Sequence, residues 1–255
     1  MSSQREIRLN AFDMNCVGHQ SPGLWAHPRD RSWQYKDLEY WTDLARLLER
    51  GKFDGLFIAD VLGVYDVLNG NNHAAIRQAT QVPVNDPLAL ITPMAMVTEH
   101  LGFGLTASLS FEHPYPFARR ISTLDHLTKG RIGWNIVTSY LESGARNIGH
   151  QAQTDHDARY DYADEYLQVI YKLLEGSWED GAVLRDRERQ ISATLKKSIR
   201  LIIRARFSRC RAFIFASRHR SARRCFIRPA PPAAVKPLQR SMLNVYLSRH
   251  RQKCC

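Results

Sequence analysis

The sequence predicts an α/β fold with a parallel sheet over residues 1–190, followed by a segment of different character over residues 191–255. Three observations carry this. Short apolar runs alternate four times with apolar stripes at helical spacing, the mark of successive βα units. The runs are nearly continuous in apolar residues, as strands covered on both faces require. Polar and unusual residues stand just past the runs, where a parallel sheet presents its ligand site.

The elements follow in order. Residues 7–12 (IRLNAF) alternate as a short strand, and Asp37 opens a helix in which Leu38, Trp41, Leu44, Ala45 and Leu48 recur before Gly51 stops it. Residues 55–59 (GLFIA) form a second strand that ends in Asp60. An irregular stretch leads to Asp86-Pro87, a good N-cap and first-turn pair, and the helix it opens, 87–100, is apolar nearly all round and so buried. Residues 102–109 are the third strand, and a third helix runs from Pro116 to Gly130. Residues 131–138 are the fourth strand, and a fourth helix over 157–175 carries Ala163, Tyr166, Leu167, Ile170, Leu173 and Leu174 on one wide stripe. A doubly wound sheet and a TIM (β/α)8 barrel both fit. No Gly-x-Gly-x-x-Gly follows the first strand, which favours the barrel, of which only the first four βα units are present.

Composition separates the two segments. Of the 36 Lys and Arg, 17 lie in 191–255, and none of the 25 Asp and Glu do, so residues 1–190 carry 19 cations against 25 acids, a net −6 within a chain of +11. All 14 Gly precede residue 191, and four of the five Cys follow it. The overall basicity is therefore a property of the tail, which lacks the aromatic interleaving of a selected nucleic-acid surface. With Cys16 alone in the first segment no disulfide framework is readable, and a cytoplasmic location is expected. No run of 18 apolar residues suggests a membrane span, and the histidines and cysteines show no metal-ligand spacing.

Several residues invite chemistry, each with a plainer reading beside it. Asp60 at a strand end is either a site residue or a cap for the next segment. Polar groups from Asp155 to Tyr160 gather at a helix N-terminus, which favours an anion such as phosphate, although simple capping needs the same residues. Cys16 and His19 follow strand one and either line a pocket or pack.

Eight motifs occur in order: Leu9-Asn10-Ala11-Phe12 with Cys16 and His19, Glu49-Arg50-Gly51-Lys52-Phe53-Asp54, Ile58-Ala59-Asp60, Thr98-Glu99-His100, Thr123-Leu124-Asp125-His126, Gly130-Arg131, Trp134 to Ser139, and His156 to Tyr160. In these the sequence resembles the bacterial-luciferase-like flavin monooxygenases, in the branch of nitrilotriacetate monooxygenase component A, and is most similar to the long-chain alkane and dimethyl sulfide types. The resemblance covers nearly all of residues 5–190. It implies a (β/α)8 barrel that receives reduced FMN (FMNH2) from a separate flavin reductase and uses O2 to oxygenate a small apolar or sulfur-containing substrate, as a homo-oligomer. Position by position, it implies that Asp60 and Ser139 contact the flavin with Thr138 beside them, and that His156 and Tyr160 reach toward its phosphate. It places Cys16, His19, Tyr65 and Asn135 on the substrate side. Tyr140 departs from the alkane type, which has His there, and is similar to the dimethyl sulfide type.

The family's later motifs are not visible after Gln190. They reappear in a frame offset by two bases: synonymous codons for 191–199 can spell FGDPEKVH, and those for 207–231 can spell LKVPGIHLCEPSPQRTPVLYQAGT. This matches the family's expected order of an Asp-Pro-x-Lys-x-His segment, a Val-Pro-Gly turn, a Pro-Gln-Arg-Thr-Pro run and a strand ending in Gln-Ala-Gly. The tail is thus expected to be an out-of-frame product without native structure, leaving an inactive half barrel whose first and fourth strands are open edges. The competing expectation is a non-catalytic fragment whose basic tail binds polyanions non-specifically.

Overall fold

The computed structural model describes residues 7–19, 21–204, 206–207, 209–212 and 226–227. Strand β1 (Asn10–Met14) leads through two single-turn helices to α1 (Leu38–Arg50), and β2 (Gly55–Ala59) leads to the short α2 (His73–Arg77) and to α3 (Leu88–Met96). Then come β3 (Gly102–Ser108), α4 (Pro114–Leu127), β4 (Ile132–Val137), α5 (Glu142–Asn147) and α6 (His156–Glu175). The four strands pair in parallel and in sequence order, as four right-handed βα units would place them.

Alternation along each strand divides the sheet into two faces. Leu56 and Ile58, Phe103, Leu105 and Ala107, and Ile132 and Trp134 point to one side, where they form a single core with Trp41, Ile91, Phe117 and Tyr166 from α1, α3, α4 and α6. The other side carries Phe12, Phe57, Gly104, Thr106, Gly133 and Asn135, which share a face through the registers Phe12↔Phe57, Phe57↔Gly104, Gly104↔Gly133 and Thr106↔Asn135. Phe12 stacks on Phe57 at 5.0 Å between ring centroids yet is 51% exposed. In a closed barrel this second face is the interior; here, at β1, it is open.

The end of the sheet where the strands begin is closed by two charged side chains. Arg131 donates to the carbonyls of Ala95, Thr98, Leu101 and Thr128 and to the Thr98 hydroxyl, at 2.8–3.1 Å, and its guanidinium lies 5.6 Å from the Phe103 ring centroid. The Glu49 carboxylate accepts the backbone N–H groups of Glu99, His100 and Leu101. Those bonds satisfy backbone groups left over at helix ends and hold its carboxyl below the usual range, although burial opposes the shift. The motif residues Glu49, Thr98 to His100 and Arg131 therefore stabilise the fold rather than perform chemistry.

The expected boundaries shift in four places. Strand one lies at Asn10–Met14 rather than 7–12, because Arg8 and the Leu9 N–H are drawn to the Asp54 carboxylate and pairing begins only at Asn10↔Gly55. Helix α3 stops at Met96, short of 100, where the Thr98 hydroxyl takes the Met94 carbonyl and the Glu49 carboxylate turns the chain into β3. Helix α4 starts at Pro114, not Pro116: the His113 ring nitrogen accepts the Tyr115 N–H, and both prolines fit the first turn. Helix α5 has no apolar stripe and is not expected from its sequence.

Short described elements continue past Gln190. β5 (Val183–Asp186) pairs antiparallel with β6 (Ile191–Ala193), and β7 (Leu201–Arg204) with β8 (Arg209–Ala212). The apolar run Leu201-Ile202-Ile203 explains the second hairpin, since Ile203 is buried in the main core. β9 (Phe226–Ile227) pairs in parallel with Trp134 and Asn135 of β4, so β4 is not an open edge, whereas β1 pairs only with β2 among the described residues. Residues 205, 208, 213–225 and 228–255 lie outside the described residues. No described helix is long and apolar enough to cross a membrane.

Arg131→Met should lower unfolding stability in urea by about 3 kcal/mol or more, since several buried carbonyls lose a charged donor at once. Arg131→Lys should recover only part, because an ammonium cannot reproduce the planar fork. Equal midpoints for Met, Lys and unaltered chains would contradict this account of the closed end.

Candidate active site

At the opposite end of the sheet the chain leaves each strand into a polar loop. After β4, Ser139 has a left-handed backbone, φ 58°, which a residue with a side chain adopts only when its surroundings hold it. Its hydroxyl donates to the Ser108 hydroxyl at 2.7 Å, the Ser110 hydroxyl donates to the Thr138 carbonyl at 2.7 Å, and the Arg159 guanidinium donates to the Ser139 carbonyl. The ends of β3 and β4 and the first turn of α6 are thereby tied into one polar network. Ser108, Ser110 and Arg159 join this network and were not singled out from the sequence. Arg159 stood inside the His156 to Tyr160 motif, but nothing in the spacing distinguishes it.

Asp60 follows β2, and its carboxyl is pushed up to about 6, first by burial and then by the negative charge of Asp86, with the Val61 N–H opposing. Asp86 also caps α3, accepting the Leu88 N–H at 2.8 Å. Asn15, only 2% exposed, donates from its amide to the Asp86 carbonyl at 3.4 Å, while its Oδ1 is buried without a hydrogen-bond partner among the described residues. The Arg159 Nε is a buried donor in the same condition. Each of these loop ends thus keeps one buried polar atom without a partner among the described residues, as do Gln153, Tyr166 and Trp178 elsewhere.

The other expected site residues fall in distinct places. Cys16 is buried and bridged through its backbone to Val84; burial and the charges of Asp13 and Asp60 push its thiol up to about 12, so it is a neutral wall rather than a nucleophile. The His19 ring meets Phe12 edge-on at 4.5 Å, and burial lowers its pKa, which keeps the imidazole neutral. Asn135 is buried on the inner face and donates to the Thr106 hydroxyl at 2.9 Å, one layer below the mouth. Tyr65 and Tyr140 join hydroxyls at 2.6 Å, with Tyr140 61% exposed and its pKa raised by burial and by that bond. Their loops are held together at Gly63, where an added Cβ would stand 2.6 Å from the Ser143 hydroxyl, and that hydroxyl bonds both the N–H and the carbonyl of Val64. His156 is exposed, 3.0 Å from Asp157 and 4.8 Å, ring to ring, from Tyr160. The Ser139 network is reached from α6 through Arg159.

The family model described as luciferase-like monooxygenase matches residues 11–239. The chain belongs to the luciferase-like monooxygenase family. It is 60% identical over 187 residues to long-chain alkane monooxygenase of Geobacillus thermodenitrificans (strain NG80-2), covering 73% of this chain and 42% of that relative. To dimethyl-sulfide monooxygenase of Hyphomicrobium sulfonivorans it is 62% identical over 185 residues, 72% of this chain and 38% of the relative. To nitrilotriacetate monooxygenase component A of Aminobacter aminovorans it is 38% identical over 191 residues, 73% and 41%. The chain therefore spans about two fifths of the length of these relatives. The crystal structure of long-chain alkane monooxygenase (LadA) superposes with a TM-score of 0.87 over 91% of this chain and 53% of its own, at 49% identity.

A raised carboxyl pKa penalises the fold only while the group is ionised. Stability is therefore highest below the unfolded carboxyl's pKa and falls as pH rises toward about 6. Asp60→Asn, which mimics the protonated form, should gain stability over the unaltered chain by on the order of 1 kcal/mol at pH 7.5 and by much less at pH 4.5. A pH-independent difference in melting temperature would mean that Asp60 is solvated and not part of a buried mouth.

Proposed function

We propose that residues 1–190 form the flavin-facing half of an FMNH2-dependent, two-component monooxygenase, supplied with reduced FMN by a separate flavin reductase. With O2 it oxygenates a small apolar or sulfur-containing substrate in the cytoplasm. The observation that carries the proposal is the pair of networks at the strand ends, Asp60 with Asp86 and Asn15 on one side and Ser139 with Ser108 and Arg159 on the other. A flavin ring presents ureide N–H and carbonyl groups that suit an unused acceptor and an unused donor, and the inner face beneath is lined by Gly104, Gly133 and the small Thr106. The residues present fit the cofactor.

Reduced FMN, when bound, supplies the electrons that activate O2. The chain's own side chains hold and enclose it. Asp60, ionised above about pH 6, accepts a hydrogen bond from the ring, and Ser139 with Thr138 beside it fixes the ring's other edge. Cys16, His19, Phe12 and Phe57 form a neutral, largely apolar wall that excludes water from the oxygenation step. Asn135 and the Tyr65–Tyr140 hydroxyl pair stand on the substrate side, where the pair holds a proton that a polar substrate atom can share. His156 and Tyr160 sit toward the phosphate end.

We further propose that residues 191–255 are the out-of-frame reading of the same barrel's next segment. The tail's composition, with no Gly and no Asp or Glu, supports this. So does the position of β9, whose Phe226 and Ile227 are the codons from which the offset reading draws the Tyr-Gln of its strand ending in Gln-Ala-Gly. The tail's 17 cations without an acid favour one additional property, weak salt-dependent binding to polyanions.

The test restores the offset frame from Gln190. The repaired protein should bind FMN and, with reductase, oxygenate dimethyl sulfide or an alkane, and Asp60→Ala in it should weaken FMN binding by about 1–3 kcal/mol. The 255-residue chain, given reduced FMN, should release hydrogen peroxide without oxygenated product. A repaired protein that ignores flavin, or a 255-residue chain that forms product above the protein-free background, would overturn the proposal.

A further inference from the structure

We infer that Arg159 is a positioning residue of this site: it holds the left-handed turn at Ser139 in the geometry that the ligand meets. The inference deepens the flavin reading and rests on it for what the ligand is, though not for what Arg159 does to the chain. Three observations carry it. Ser139 has φ 58°, a conformation that costs a residue with a side chain unless neighbours impose it. The Arg159 guanidinium is the charged donor on the Ser139 carbonyl, reaching from the first turn of α6 across to the end of β4. The remaining bonds of the network, Ser139 to Ser108 and Ser110 to Thr138, are between neutral groups, each weaker than one from a guanidinium.

The geometry gives Arg159 a second capacity. Its Nε is buried with no acceptor among the described residues, although the side chain is engaged at Ser139 through its terminal nitrogen. A guanidinium can serve two acceptors at once because its N–H groups diverge in one plane. A ligand acceptor arriving at the mouth would therefore be met by a cation whose position is already fixed by the backbone turn. Asp60 and Asp86 put negative charge at the other side of the mouth, so the two sides together favour a ligand with its N–H donors toward β2 and its acceptors toward β4. Lysine in place of arginine keeps the charge and one donor but loses the second direction.

The test uses the full 255-residue chain and compares Arg159→Gln and Arg159→Lys with the unaltered protein. Amide hydrogen exchange, read on peptides spanning 106–111 and 137–141, should rise about tenfold in the Gln variant and less in the Lys variant, with 55–59 unchanged. Flavin fluorescence quenching should show FMN binding weakened about tenfold by Gln and partly restored by Lys, with riboflavin, which presents the same ring, weakened likewise. Unchanged exchange at 137–141 in a folded Gln variant overturns the positioning role, whether or not FMN binding falls. So does a Lys variant no better than Gln, which would reduce Arg159 to packing. Loss of protection at 137–141, with partial rescue by Lys, in a chain that binds no flavin in any form supports the positioning role, and the flavin reading is then decided by the frame-restored protein. Should the Gln variant fail to fold, the Lys variant decides by the same exchange criterion.

Discussion

Every strand of a parallel sheet carries side chains on both faces, and neither face can be left to water without cost. This constraint organises the molecule. On one face α1, α3, α4 and α6 bury a continuous core from Trp41 to Leu173. The other face is meant for a closed interior, and its residues are chosen accordingly. Gly104, Gly133, Thr106 and Asn135 are small enough for a lumen, while Phe12 and Phe57 are large enough to wall it. Phe12, on the β1 edge, is half exposed.

The two ends of the same sheet divide the labour. Where the strands begin, Arg131 and Glu49 satisfy backbone groups so completely that the end is rigid and chemically silent. Where the strands end, backbone and side-chain groups are tied to one another only in part: Asn15 and Arg159 each keep a buried atom without a partner, and Ser139 keeps a strained turn. Stability accumulated at the first end is what allows unsatisfied groups to persist at the second. Charge follows the same division, with carboxylates gathered by β2 and α3 and a guanidinium by β4, so the mouth has a direction along which an unsymmetrical ligand must lie.

Much of the fold was legible because its signals are local. The stripe of α6, the run 55–59 and the cap at Asp86 fall within about 20 residues each and need no tertiary information. The start of β1 was not legible, since Leu9 is drawn off by the Asp54 carboxylate 45 residues away, and neither was the end of α3, which Glu49 decides. Among candidate site residues, Asp60, Thr138, Ser139, Tyr65 and Tyr140 are picked out by family resemblance alone. Ser108, Asn15 and Arg159 were not: their roles come from one hydrogen bond each across the sheet, and no spacing encodes a contact of that kind. The tail's composition speaks against structure, yet an apolar run at 201–203 suffices for a hairpin on α6, and two residues suffice to cover part of β4.

The account's central claim is that the ends of β2, β3 and β4 form the ring-binding side of a flavin site whose other side is encoded in the offset frame. A crystal structure of the frame-restored protein with FMN tests it most directly. The account predicts a closed barrel with a flavin ring at its mouth, hydrogen-bonded to Asp60 and Ser139, and the Gln-Ala-Gly strand beside β4 where β9 now lies. A flavin bound elsewhere, or a second half that packs without closing over Phe12 and Phe57, would contradict it.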